Sequence, residues 1–317
     1  MINLFQFLLK VRSSQKSPKL NSSSGMTMIE LLVGTVIAFI IITPLMGMVI
    51  GLLNDDSRES AKASTEQEIQ SALEYITEDV SQALYIYTDT TSTDPQLDKQ
   101  IDQLKTNNFL PTTGDPILVF WKRKIIENAV PVDLAKTPLP KDCDENDQTK
   151  KCNDTYVLSL VSYHLLRETK QDSIWCQPKS TDLQKCPSRI IRYEISDWLK
   201  KTDGTAYTKA EVGTNLASYG TDNPSNEPFN SLFRLDQPLV NVTNGGSKFP
   251  SEQVLVNYIE DFKLDGTSTN NLAKINITAN SARRIDSNAA SCINKSSAYC
   301  VQSSVQVRGL SGLGTSE

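Results

Sequence analysis

Histidine is nearly absent from this sequence: His164 is the only one in 317 residues. Zinc sites and proton shuttles draw first on imidazole, so a centre built on histidine has a single group to start from. Cysteine does not fill the gap, because no C-x-x-C occurs among the six cysteines. No G-x-S-x-G elbow accompanies His164, which leaves a Ser-His-Asp hydrolase without its usual frame. A P-loop and a Rossmann glycine pattern are missing as well. Excess positive charge is also lacking: the formal net charge is −5, the wrong balance for a chain that grips nucleic-acid phosphates with Lys and Arg. The 37 acidic residues show no spacing that marks a pair of glycosidase carboxylates. Composition and motifs therefore yield no cofactor, no metal and no catalytic residue, and His164, among apolar neighbours in a strand-like segment, reads as structural.

Charge is missing in a more local sense from Leu31 to Leu53, 23 residues without a formal charge. At a rise of about 1.5 Å per helical residue this run reaches roughly 34 Å, enough for a hydrocarbon core of about 30 Å. A buried core helix of that length would carry a polar face, and this one has none. The first 25 residues carry Lys10, Arg12, Lys16 and Lys19 and no acid, while Asp55 and Asp56 follow the run. The bias places the N-terminus in the cytoplasm and the rest of the chain on the exported side. A cleaved secretory signal is the competing reading. The run is longer than a signal core, however, and no A-x-A-like site follows it. The early "MINLFQFLL" lies ahead of the basic residues and belongs to a leader. Within the run, Pro44 favours a kink, and Gly47 and Gly51 have the G-x-x-x-G spacing that admits a close neighbouring helix.

Past the span, Ile69, Ala72, Leu73, Ile76, Val80, Ala83 and Leu84 recur at three- and four-residue spacing and share a helical face. Glu66, Glu68, Glu74, Glu78 and Asp79 are assigned to the other side. The pattern predicts one helix from Met26 to near Tyr87, on the order of 90 Å long. Residues 88–115 are polar and turn-rich, with one short helix near "KQIDQLK". Strands follow at "PILVFWKRKII", "TYVLSLVSYHLLRE", "RIIRYEI", "QVLVNYIEDFKL", "AKINITAN" and "SSVQVRG". In "RIIRYEI" Ile191, Tyr193 and Ile195 alternate with Arg192 and Glu194. Residues 197–250 read as loops and insertions. A sheet packed on the second half of a long helix is the expected α+β arrangement.

The six cysteines fall into three local pairs, Cys143 and Cys152, Cys176 and Cys186, Cys292 and Cys300. An even count on the exported side points to disulfides. Fifteen connectivities are open, and nearest-neighbour pairing is the expectation. Between the first pair, "DCDENDQTKKC" offers Asp142, Asp144, Asn146 and Asp147 as oxygen ligands. It fails the EF-hand pattern, since Asp147 takes the glycine position and no Glu closes the loop; an acidic surface loop is the expectation. "FWKRK" (Phe120 to Lys124) is read as an edge strand with exposed cations, against a polyanion-binding strip.

One acid stands at the head of the uncharged run. "GMTMIELLVGTVIAF", from Gly25 through Glu30 and onward, resembles the N-terminal signature of type IV prepilins and pseudopilins, with Met26 where Phe is commoner and Met28 where Leu is commoner. The resemblance implies that a prepilin peptidase cuts between Gly25 and Met26 and methylates the new Met26 amino group. It also implies that Glu30 meets the Met26 ammonium of a neighbouring subunit when apolar helices pack into a fibre. An unpaired ammonium would be costly there. "VFWKRKII" with "TEQEIQSALEYITEDVSQALYIY" further resembles cyanobacterial pseudopilins associated with hormogonium polysaccharide secretion.

The expected organisation is a leader at 1–25, a membrane-spanning and assembly half-helix at 26–53, an amphipathic half at 54–88, and an exported pilin-like domain at 89–317. Losing the four leader cations would take the net charge from −5 to −9. The implied function is that of a non-enzymatic minor pilin or pseudopilin of the plasma membrane, supporting polysaccharide secretion and gliding. Its implied partners are the peptidase, other pilins, the assembly platform and ATPase, and the exported polysaccharide; nucleic acid is not among them. Two rivals carry other expectations. A signal-anchored envelope hydrolase would keep an intact N-terminus, and a pilus-tip adhesin would bind a ligand directly.

Overall fold

The computed structural model describes residues 27–88, 100–106, 110–132, 142–180, 182–196, 199, 211, 252–269, 271–293 and 297–310. The expected leader, Gly25, Met26 and nearly all of the loop region expected at 197–250 lie outside them. The chain divides between Asp55 and Asp56 into two compact units.

Helix α1 spans Met28–Ser81 and continues through Pro44. Proline removes the N–H that would reach the Ile40 carbonyl, yet no break in the helix results. In the second unit α1 is amphipathic, and Ile69, Ala72, Leu73, Ile76 and Val80 are buried on one stripe. Each large aliphatic side chain among them contributes about 1.5–3 kcal/mol by leaving water.

The helix ends at Ser81, six residues before the sequence reading placed its end. Ala83–Tyr87 forms strand β1, with all five residues buried. Ala83 and Ile86 join the cluster around α1, whereas Tyr85 and Tyr87 join a second cluster on the opposite face. One helical stripe cannot serve two opposed faces; a pleated strand does so at Ile86 and its tyrosine neighbours, and a register shift between Ala83 and Tyr85 turns Ala83 to the helix side. Aromatic and β-branched residues also favour the strand.

Six more strands follow: β2 (Asp115–Pro131), β3 (Cys152–Arg167), β4 (Ser188–Ser196), β5 (Gln253–Leu264), β6 (Leu272–Asn280) and β7 (Cys300–Arg308). They form one antiparallel meander in sequence order. The sheet curls around the amphipathic half of α1, so that every strand lends residues to the helix-side cluster, from Ile86 on β1 to Val307 on β7. At one end the curl nearly closes, and the Leu310 N–H donates to the Ala83 carbonyl at 2.8 Å. Gly309 makes this approach possible, because a Cβ there would lie 2.6 Å from the Ala83 oxygen. On the convex face, helix α2 (Gln100–Thr106) supplies Ile101 and Leu104 to the second cluster with Tyr87, Val119 and Trp121. The Trp121 indole N–H donates to the Tyr87 hydroxyl at 2.7 Å there.

"FWKRK" therefore lies on an interior strand, not an edge. β1, which the sequence reading left inside the helix, pairs with β2 and takes the edge position. Phe120 and Trp121 are fully buried as a result.

Disulfides Cys143–Cys152, Cys176–Cys186 and Cys292–Cys300 close the β2–β3, β3–β4 and β6–β7 connections. Loops of this size stabilise by roughly 2–3 kcal/mol each in the chain-entropy account. Glu168 ties the second connection, accepting from the Thr169 and Lys170 N–H groups, the Ser173 hydroxyl and Arg189. Glu260 ties the third, accepting from Ser291, the Cys292 N–H and Asn280.

His164 on β3 is fully buried. Its Nδ1 lies 3.0 Å from the Thr113 carbonyl, which can only accept, so Nδ1 carries the proton and Nε2 accepts from the Ser162 hydroxyl at 2.9 Å. Burial is the largest influence and lowers its pKa to about 4, against an ordinary value of 6.5. The unfolded chain thus binds a proton that the folded chain refuses between these values. Stability is complete above about pH 6.5 and falls by up to roughly 3 kcal/mol as the pH drops to 4. Urea unfolding of the full chain in detergent should show this slope. In His164→Asn the protein should be less stable at pH 7 but nearly flat between pH 6.5 and 4.5.

Candidate functional site

Helix α1 starts on a side-chain cap. The Glu30 N–H lies 3.3 Å from Thr27 Oγ1 and 3.0 Å from the Thr27 carbonyl, which also accepts from Leu31 N–H at 3.2 Å. Thr27 is thus the N-cap and Glu30 the third helical residue, the S/T-x-x-E spacing of a capping box. A carboxylate in the first turn also meets the positive end of the helix dipole, worth typically 0.3–1 kcal/mol. The sequence reading attached only an assembly role to Glu30. "TMIE" carried the capping signal as well.

From Thr27 to Ser60 every residue is exposed. The apolar side chains of the first unit point to all sides, as at Phe39 (74% exposed), Ile40 (67%) and Met48 (64%). Thr35 and Thr43 turn their hydroxyls onto the Leu32 and Phe39 carbonyls at 2.8 Å each. Between Leu31 and Leu53 no polar side chain then needs water, the condition a hydrocarbon environment sets. Gly47 and Gly51 have open space where a Cβ would stand. The helix is long and apolar enough to cross a membrane.

In the second unit the best-organised polar group is a buried charge cluster around Asp79. Lys122 Nζ on β2 lies 2.5 Å from Oδ1, and on Oδ2 converge Arg192 Nε from β4 at 2.8 Å and the Tyr163 hydroxyl from β3 at 2.6 Å. Arg192 also donates to Glu194 at 2.6 Å, and Lys124 lies 3.2 Å from the same carboxylate. The Arg192 guanidinium sits 5.7 Å from the Tyr75 ring centre. Burial on its own raises the Asp79 pKa, but the hydrogen bonds and charge of Arg192, with Lys122 and Tyr163, outweigh it and hold the carboxyl below its ordinary value. Glu194 is held low in the same way, against its burial, by Arg192, Lys122 and Lys124. Burial and the neighbouring Asp79 charge push the Tyr163 hydroxyl well above the usual range.

The sequence reading put Asp79 among the solvent-facing acids, and the structure corrects this. Asp79 follows Ile76 by three residues and Ala72 by seven, which places it on the buried stripe; its charge masked a position that the period already gave. The alternation of Arg192 and Glu194 with Ile191, Tyr193 and Ile195 holds, but the charged face is turned towards α1. Glu68, also assigned to the solvent side, is only partly exposed and pairs with Arg284.

Two carboxylates of the acidic loop bond within the loop, and a third, Glu145, accepts from the Asn128 side chain on β2. Asp144 accepts from the Asn146 N–H, and Asp147 from the N–H and hydroxyl of Thr149. Among the described residues no group of three or more His, Cys, Asp or Glu is placed to hold a metal ion. A cavity of about 220 Å³ between the second and third disulfide loops is lined by Arg167, Tyr258, Glu260 and Arg283. Its carboxylate is the one that ties the third loop. Comparison of the chain with family models, curated proteins and solved structures finds no match.

Asp79→Ala leaves the buried Lys122 and Arg192 to share Glu194 as their one remaining acid and should destabilise the domain by roughly 3–5 kcal/mol. Adding Lys122→Met and Arg192→Met to it should recover much of that loss, since an apolar replacement leaves no charge unpaired. Denaturant midpoints of the single and triple variants give the comparison.

Proposed function

We propose that this chain is a minor pilin or pseudopilin: a non-enzymatic subunit processed at Gly25, held in the plasma membrane by the first half of α1, and drawn into a type IV pilus-like fibre. The observation that carries the reading is Glu30. It is the single charged residue on the stretch Thr27–Leu53, it stands one turn after the proposed cleavage point, and it heads a helix exposed on every side. A capped helix in water has no use for that apolar surface. A fibre of packed helices has a use for both the surface and the acid.

In this reading the charged, N-methylated amine of Met26 enters an apolar bundle and takes its counter-ion from Glu30 of a neighbouring subunit. Two carboxylate oxygens accept from one ammonium, and both charges leave water together. The domain on the second half of α1 stays on the exported side, where its disulfides form, and decorates the fibre. The same resemblance ties the fibre to polysaccharide secretion and gliding, with the peptidase, the assembly platform and its ATPase as cytoplasmic-side partners.

Charge and cap separate experimentally. Glu30→Gln keeps an N3 side chain that serves a capping box but removes the negative charge. Expressed in a host with the secretion system, Glu30→Ala and Glu30→Gln should both insert in the membrane. Both should fall more than tenfold in the sheared surface-fibre fraction. If Glu30→Gln reaches the fibre at the native level, the acid serves only the helix end and the counter-ion role is lost.

A further inference from the structure

Strand β7 ends the sheet, and one side of it has no strand partner among the described residues. The ladder shows which groups face outward. β6 pairs with β7 so that Leu272 opposes Arg308 and Asn280 opposes Cys300. In the same register Gly309 N–H donates to the Asn271 carbonyl and Ser281 N–H to the Tyr299 carbonyl. Odd-numbered residues of β7 therefore turn their N–H and C=O to β6, and Gln302, Ser304, Gln306 and Arg308 turn theirs away. The next even position, Leu310, spends its outward N–H on Ala83. Short of that closure no strand among the described residues pairs with the row.

The open row borders an apolar groove of about 440 Å³ between β7 and α1, floored by Leu73 and Val305 and lined along the helix by Gln70, Glu74, Thr77 and Glu78. Sheet edges are ordinarily guarded by proline, charge or a covering element. β7 has no proline and no acid, and its only cation is Arg308 at the far end. The side chains beside the open row are uncharged: Gln302, Ser304 and Gln306.

We propose that this edge is a docking site for an extended segment of another protein, one that alternates apolar and basic residues. The segment adds an eighth strand. Its backbone pairs with Gln302, Ser304 and Gln306, its inward side chains fill the groove against Leu73 and Val305, and its cations meet the exposed Glu74 and Glu78. This is strand addition, in which main-chain bonds give affinity and alternate side chains give selectivity. The rim acids decide against a second copy of this chain, since β7 of a copy brings no cation to the middle of the edge and its own helix brings two more glutamates. The inference holds whether or not the chain joins a fibre.

The test uses the full chain in detergent and two synthetic peptides of nine residues, the length of β7. One alternates valine with lysine and the other valine with glutamate. At saturation the lysine peptide should slow amide exchange at Gln302, Ser304 and Gln306 more than tenfold, and it should bind at least about tenfold more tightly than the glutamate peptide. Ser304→Pro removes an outward N–H without touching the β6 ladder and should weaken the lysine peptide about tenfold. Glu74→Lys with Glu78→Lys, both on exposed helix positions, should invert the preference while leaving the unfolding midpoint in place. No binding by the lysine peptide at millimolar concentration, equal affinity for both peptides, or binding unchanged by Ser304→Pro overturns the proposal. So does edge protection that rises with protein concentration alone, which would identify a second copy as the occupant.

Discussion

The buried carboxylate of Asp79 is the contact on which the sheet domain depends for its register. Seven strands curl around the amphipathic half of α1, and nearly everything that holds them there is apolar. Apolar burial is strong but non-directional, and a smooth helix inside a curled sheet can slide or turn at little cost. Three donors from β2, β3 and β4 on one helical side chain remove that freedom, because each has a preferred distance and angle. The desolvation this demands is large, and the full set of partners offsets it. The cluster sets one packing of helix against sheet more than it adds to total stability.

The two halves of the same helix differ in surface. Its first half carries apolar side chains on every side, and its two threonines bond inward to carbonyls of their own turn. Its second half has a single apolar stripe packed against the sheet. In the proposed fibre the first half packs against other helices, and the second half carries a domain held by directional bonds.

Much of this was legible before any coordinates. The uncharged run, the six strands, the short helix at Gln100–Thr106 and the local cysteine pairs followed from period, composition and spacing. The failures share a cause. Ala83 and Leu84 continue the helical period of Ile76 and Val80, and nothing local says that Tyr85 and Tyr87 must reach the opposite face of a sheet not yet formed. Once β1 was hidden, "FWKRK" became an edge. Asp79 and Arg192 were set apart by charge, although position placed them on buried faces, because their partners lie 43 and 113 residues from Asp79 along the chain. Such pairings are tertiary facts, invisible to any window a few turns wide. Thr27 was different, since its capping relation to Glu30 is local and was there to be read.

In the proposed subunit Glu30 heads a helix whose N-terminus is made by cleavage after Gly25. Intact mass and N-terminal peptide mass spectrometry of the protein purified from its own host decide whether that cleavage occurs. A chain that begins at N-methylated Met26 is expected. A chain that still begins at Met1, or one cut beyond Leu53, contradicts the proposal, for then no Met26 ammonium exists for Glu30 to meet.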